Sequence, residues 1–195
     1  MTLNVGLIGC GGITHSHVEG WKKVAGRAEI VAMADISESN ARARMAQLGR
    51  DVSFYEDYHD LLADDQIDVV MCVMNYADRN IYDFESKVLP EARRRNVGCV
   101  AMKVYVGIKG GFRNHRSGHV GCVTKPDRMP HAMSYALDLE GVSVAVVGPY
   151  TVEQSIRNVE IAQKYKPLSA EQRNTLLEYG RKLAPTLGPR YGSVV

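Results

Sequence analysis

The sequence predicts an α/β protein: a doubly wound parallel sheet of about six strands, with helices on both faces in three α/β/α layers. Three observations predict it. Short apolar runs alternate with amphipathic stretches along most of the chain. Several of the runs are apolar throughout and rich in β-branched residues, as strands covered on both faces are. Glycines close the first run and an acid closes the second, which is the local grammar of a strand–turn–helix repeat. Strands separated by helices imply parallel pairing with right-handed crossovers. With 195 residues the chain can bury one good core, so a single α/β domain over 1–195 is expected.

The elements follow in order. Residues 3–8 read as strand one and stop at glycines; 13–24 carry Ile13, Val18, Trp21 and Val24 at helical spacing. Residues 29–34 form strand two, ending at Asp35. Ser37 is placed to cap the next helix over 40–48, and Gly49 to stop it. A short strand at 52–54 and a short helix at 58–62 precede the continuous apolar run IDVVMCVM at 67–74. Residues 83–95 read as one helix and 97–104 as strand five. The glycine-rich, basic stretch 107–126 has no period and reads as a long loop. Beyond it come a helix at 129–139, strand six at 142–147 and a helix at 152–163. Ser169-Ala-Glu-Gln172 is close to a capping box, opening a last helix to about Leu183.

Bulk properties narrow the function. Hydrophobic residues are 45% and charged residues 24% of the chain, as in ordinary globular proteins. A net charge of +2 gives no electrostatic footprint for nucleic acid or an anionic membrane, so neither is an expected partner. No apolar run is long enough to span a bilayer. The chain enters its first strand without the basic region and cleavage site of a signal peptide, so a cytoplasmic location is expected. Cys10, Cys72, Cys99 and Cys122 are widely spaced, without a Cys-x-x-Cys pair, and read as buried free thiols.

The segment Val5-Gly-Leu-Ile-Gly-Cys-Gly-Gly-Ile-Thr14 puts Gly9, Gly11 and Gly12 between a strand and a helix. That placement carries the chemistry. Gly9 permits a tight turn, and Gly11 lets the backbone approach a pyrophosphate with no Cβ in the way. The helix starting near Ile13 adds unpaired N–H groups and a partial positive charge. Asp35 sits where a carboxylate would hold the adenosine ribose hydroxyls. The expected cofactor site is therefore Gly9, Cys10, Gly11, Gly12 and Ile13 with Asp35 and Ser37. The competing reading is a glycine turn with no ligand, but strand, glycines, helix, strand and acid in sequence favour a dinucleotide. Asp35 repels a 2′-phosphate, which favours NAD, and Arg42 softens that preference toward NADP. The third fingerprint position is Thr14 instead of Gly or Ala, which predicts looser helix–strand packing.

At the level of text, residues 3 to about 70 resemble the start of the Gfo/Idh/MocA oxidoreductases. The GCGGI loop, the ADIS strand end and YEDYHDLLADDQID carry that resemblance. It implies an NAD(P)-binding Rossmann region and small-molecule oxidoreductase chemistry on sugars or polyols. Residues 71–195 instead resemble the last third of a bacterial aldo/keto reductase, through NYADR, VLPEARRRNVGCVAMK and VSVAVVGPYTVEQSIRNVE. Together these imply a chimera joined near 67–70. Three barrel strands cannot close a barrel, so an open sheet is expected.

The resemblances also set expectations for catalysis. The catalytic residues of both families lie in parts this text does not contain, so the expected function is NAD(P) binding by a protein of oxidoreductase descent with incomplete catalytic machinery. The alternatives are a small active reductase and a structural hybrid without a ligand. Lys103, in Met102-Lys103-Val104, falls where the first family has its catalytic Lys, though without that family's flanking Glu and Pro. Asn75 falls where that family has an Asn near the cofactor. In the second family Gly148, Thr151, Gln154 and Asn158 match a region holding the adenine side of NADP(H). His115, His119, Cys122 and His131 invite a metal check, but the glycine-broken, basic surroundings argue against a helix, and no metal is expected. Apolar faces left by absent parts would favour a homodimer.

Overall fold

The structure is a computed structural model that describes residues 2–108 and 122–188. Six strands, β1 (Leu3–Ile8), β2 (Ala28–Ala34), β3 (Ser53–Tyr55), β4 (Val69–Val73), β5 (Gly98–Met102) and β6 (Val142–Ala145), form one sheet in the order β3-β2-β1-β4-β5-β6. β1 pairs in parallel with β2 and with β4, and β2 in parallel with β3. The chain starts mid-sheet, winds out to one edge, then crosses back to build the other. This is the doubly wound α/β order expected from the alternation of runs.

The described residues hold eight α-helices, the first six between strands and the last two after β6: α1 (Thr14–Lys22), α2 (Glu38–Leu48), α3 (Tyr58–Ala63), α4 (Phe84–Lys87), α5 (Leu89–Arg94), α6 (Met129–Leu137), α7 (Val152–Gln163) and α8 (Ala170–Leu183). The residues divide into two compact units. Unit 1 comprises Met1–Cys72 and Glu91–Cys99, and unit 2 comprises Val73–Pro90 and Val100–Val195. Among the described residues no helix is long and apolar enough to cross a membrane.

In unit 1 the core gathers Val5 and Leu7 of β1, Ile30 and Met33 of β2, Val18 of α1 and Met45 of α2. Trp21, Leu48, Val52 and Phe54 pack around it. Gly6 is buried in β1 because α3 and the residues leading into β4 leave no room for a side chain. A Cβ there would lie 2.8 Å from Leu61 Cδ2 and 3.2 Å from Ile67 Cδ1. Gly49 ends α2 with φ +83°, the left-handed cap that its position predicts.

In unit 2 the largest fully buried side chains are Tyr76, Tyr135 and Met74. Each phenol has a partner: the Tyr76 hydroxyl lies 2.9 Å from Thr124 Oγ1, and the Tyr135 hydroxyl donates to Glu85. Burial raises both phenols above their ordinary range, so both stay neutral. α8 opens with the full capping box, Ser169 Oγ accepting from Gln172 N at 3.2 Å and Gln172 Oε1 accepting from Ser169 N at 2.9 Å. The α8 backbone passes so close to Tyr76 that a Cβ on Gly180 would lie 2.2 Å from the Tyr76 carbonyl oxygen.

The helix expected over 83–95 is two helices. Asp83 takes φ +56° ahead of α4, and α4 gives way to α5 at Val88. Pro90 explains the break, since it has no N–H to offer Ser86 and its ring clashes with the preceding turn. Strand six is also shorter than expected, ending at Ala145, although Val146 N still donates to Ala101 O at 2.7 Å. Of the loop expected over 107–126, residues 109–121 lie outside the described residues.

Candidate functional site

The site expected from the first glycine loop lies wholly in unit 1. β1 ends at Ile8, and Gly9 turns the chain with φ +91°, a conformation that a side chain would strain. Gly9 N donates to Ala34 O at 2.7 Å, carrying the β1–β2 ladder one residue into the loop. Cys10 N donates to Asp35 Oδ2 at 2.6 Å, and Ser37 N donates to Asp35 Oδ1 at 2.8 Å. The Asp35 carboxylate therefore clasps the glycine loop to the β2 end, and it is only 7% exposed. Each of its oxygens has a second lone pair left for a ligand hydroxyl.

The loop presents donors. Among the described residues no acceptor takes the N–H groups of Gly11, Gly12 and Ile13. They precede the first turn of α1, where the helix adds a partial positive charge. A Cβ built on Gly12 meets nothing within 4 Å, so this side of the loop is open. Three adjacent unpaired N–H groups at a helix start form a cradle for an anion of the size of a phosphate.

Several expectations change in detail. Thr14, at the third fingerprint position, is buried, and its hydroxyl donates to Gly9 O at 2.7 Å, closing the loop on itself. Ser37 occupies the N-cap position of α2, but its side chain makes no capping bond; the hydroxyl lies 2.9 Å from Ser39 Oγ instead, and the backbone N–H donates to Asp35. Arg42 is tied to Glu38 by a bond of 3.0 Å on the exposed face of α2. Cys10 is no nucleophile: burial first, then the negative charge of Asp35, against the opposing charge of Arg44, push its thiol up to about 12.

Two histidines flank the loop on α1. His15 is exposed. His17 is half-buried, its Nε2 lacks a partner among the described residues, and burial lowers its pKa below 6.5. Sequence reading did not single out the Asp35 clasp or the Thr14 bond. The first is a contact across 25 residues, and the second depends on where the Gly9 carbonyl points.

Asn75 and Lys103 lie in unit 2, and the structure brings these two together. Asn75 is buried, its Nδ2 donating to Lys103 O at 3.1 Å. Its Oδ1 accepts from Ala77 N and Asp78 N at 3.0 Å each, fixing the turn after β4. Lys103 follows β5 with φ +53°, a left-handed conformation that costs a non-glycine residue about 1 kcal/mol or more. Val106, three residues on, also has positive φ at +72°. The Tyr105 hydroxyl donates to Asn158 Oδ1 of α7 at 3.1 Å, so Asn158 is engaged within unit 2.

His115 and His119 lie outside the described residues. His131 lines a groove of about 260 Å³ in unit 2 with Arg128, Glu171, Gln172, Thr175 and Leu176. Among the described residues no three of His, Cys, Asp and Glu converge to hold a metal.

With this geometry in hand, comparison with known proteins bears on the N-terminal part. Residues 3–90 match the Gfo/Idh/MocA family, described as an oxidoreductase family with an NAD-binding Rossmann fold. The match runs past Val70, where the resemblance to that family was expected to stop. Inositol 2-dehydrogenase/D-chiro-inositol 3-dehydrogenase of Lactiplantibacillus plantarum is 35% identical over 71 residues, 36% of this chain and 20% of the relative. Inositol 2-dehydrogenase of Burkholderia vietnamiensis is 38% identical over 63 residues, 32% of this chain and 19% of the relative. The chain thus spans about one fifth of the length of the curated relatives it matches. Among solved structures, myo-inositol dehydrogenase from Lactobacillus casei in complex with NAD(H) and myo-inositol is 20% identical, covering 74% of this chain and 36% of that one, with a TM-score of 0.46.

Proposed function

We propose that this chain is an NAD(H)-binding protein of oxidoreductase descent, with the dinucleotide's pyrophosphate on the Gly9–Ile13 loop and its adenosine ribose at Asp35. The observation that carries the reading is the row of unpaired N–H groups at Gly11, Gly12 and Ile13, open at Gly12 and backed by the start of α1. The family match over residues 3–90 supports the same ligand. The Asp35 carboxylate accepts ribose hydroxyls and repels a 2′-phosphate, and Arg42 is already held by Glu38, so NAD is preferred over NADP. When bound, NAD(H) supplies or takes the hydride. This chain's own part is to hold and orient the nucleotide, and its catalytic machinery for the transfer is incomplete.

A second reading is favoured by one observation. Lys103 keeps a strained backbone at the carboxyl end of β5, the side of a parallel sheet where ligands bind. In that reading Lys103 protonates the oxygen of a sugar or polyol carbonyl as hydride arrives, and the chain is a small reductase. Residues 71–195 are then read as the aldo/keto reductase-like part of a single domain, on the strength of the NYADR and VSVAVVGPYTVEQSIRNVE segments.

Titration of the purified chain with NADH and NADPH, followed by nicotinamide fluorescence, tests the first reading. Gly12→Asp is the matched variant, because its side chain has room to fit and brings a negative charge against the phosphates. Saturable NADH binding, weakened by about tenfold or more in Gly12→Asp, is the expected result. Failure of both cofactors to bind overturns the proposal, and unchanged affinity in Gly12→Asp overturns the site. Carbonyl-dependent NADH oxidation then separates the two readings. The second requires turnover that Lys103→Met abolishes at unchanged NADH affinity.

A further inference from the structure

α7 is amphipathic the wrong way round for a helix that serves only its own core. None of its residues is buried. Its half-buried positions, Gln154, Ser155, Asn158 and Ile161, lie on one mostly polar face, and Asn158 is the acceptor of the Tyr105 hydroxyl. Three of its four large apolar residues are on another: Val152 is 70%, Ile156 54% and Val159 55% exposed. At about 100° per residue, positions 152, 156 and 159 form one stripe along the helix. A contiguous apolar stripe left in water marks an interaction surface.

The charges beside the stripe say what covers it. Glu153, Arg157, Glu160 and Lys164 repeat at i, i+4, i+7 and i+11, one position after Val152, Ile156, Val159 and Gln163, so they form a row along one flank of the stripe. The row reads −, +, −, + from its N-terminal end. When two copies of one helix pack antiparallel about a twofold axis, the same flank of each helix meets itself in reverse order. Reversed, the row reads +, −, +, −. Glu153 then faces Lys164 of the second copy, and Arg157 faces its Glu160, each pair occurring twice. A parallel arrangement sets this flank against the other one and forms none of these pairs. The ion pairs among the described residues leave Arg157, Glu160 and Lys164 unused.

We infer that α7 is the homodimer interface of this protein, packing antiparallel against α7 of a second copy, with Ile156 and Val159 at its centre, Val152 at its ends and the Glu153/Lys164 and Arg157/Glu160 pairs along its flank. The interface is isologous, with Val159 nearest the twofold axis and Ile156 packed beside Val159 of the second copy, so every substitution counts twice. The inference does not depend on cofactor binding.

Sedimentation equilibrium of the full chain over a concentration series tests it. The expected species is a dimer of twice 21.5 kDa. Ile156→Asp raises the dimer dissociation constant by about a hundredfold or more, because two carboxylates enter the apolar centre. Arg157→Glu sets like charges opposite one another and weakens the dimer by about tenfold. Adding Glu160→Arg to the same chain exchanges the signs and returns the affinity to near its starting value. Far-UV circular dichroism confirms that each variant is folded. A folded protein that stays monomeric at every concentration overturns the inference. So does a dimer indifferent to Ile156→Asp, or one that Glu160→Arg fails to rescue. A monomer that instead cosediments with phosphatidylserine vesicles through Ile156 overturns it and assigns the face to lipid.

Discussion

α1 and α7 are written alike and used in opposite ways. Each places apolar residues at helical spacing beside polar ones. In α1 the stripe closes on the core: Val18 is fully buried and Trp21 packs against the β1–β2 layer. In α7 the corresponding stripe faces water, and the polar side meets the protein. Amphipathic spacing therefore establishes that a helix has an apolar face, and leaves open whether the chain itself or another molecule covers it. Cover depends on neighbours hundreds of cubic ångströms in size, which no local pattern encodes.

Three experiments break or sharpen that comparison, and α8 gives the largest effect. Gly180 is an interior helical position, where Ala is usually favoured by up to about 1 kcal/mol. The Tyr76 carbonyl reverses the sign, because the new Cβ would sit 2.2 Å from it. Gly180→Ala is expected to destabilise by about 3 kcal/mol in urea denaturation, and a stabilised variant would show that α8 does not press on Tyr76. Next comes the pair of truncations on the two compared helices. Val18→Ala is expected to cost about 2 kcal/mol. Ile156→Ala is expected to change stability by less than about 0.5 kcal/mol when measured at concentrations low enough to keep the chain monomeric. Equal costs would mean that α7 is covered within the monomer.

The smallest effect is a pH dependence that α1 has through His17. Burial lowers the folded-state pKa of His17 below 6.5. As pH falls below about 6.5 the unfolded chain takes up this proton first, so stability falls through that range and levels off below the folded-state pKa. Above it His17 is neutral in both states and contributes nothing. His17→Gln is expected to flatten this part of a stability-versus-pH curve measured by thermal denaturation; a variant as acid-sensitive as the parent would assign the dependence to other groups.

Legibility followed range along the chain. The β1–glycine–α1–β2–Asp35 succession, the Gly49 cap and the Ser169/Gln172 capping box were readable because each is a relation among residues a few positions apart, or a strand and the turn it feeds. The break at Val88 was nearly so, since Pro90 announces it. Other features had no local sign. The Asp35 clasp joins residues 25 apart, and Gly180 meets a carbonyl more than a hundred residues away. Ser37 looked like a cap, but its hydroxyl pairs with the next serine instead of the helix backbone.

By itself the sequence determined the doubly wound α/β order, the phosphate-sized turn after β1 and the acid beside it, because these rest on side-chain periodicity, glycine's freedom at positive φ and the reach of a strand end. Only the tertiary structure decided that Asp35 first holds its own loop, that Thr14 closes it, that Asn75 and Lys103 meet, and that α7 turns its apolar stripe outward. Those outcomes depend on which distant groups compete for the same hydrogen bond or the same space, and that competition exists only once the chain has folded.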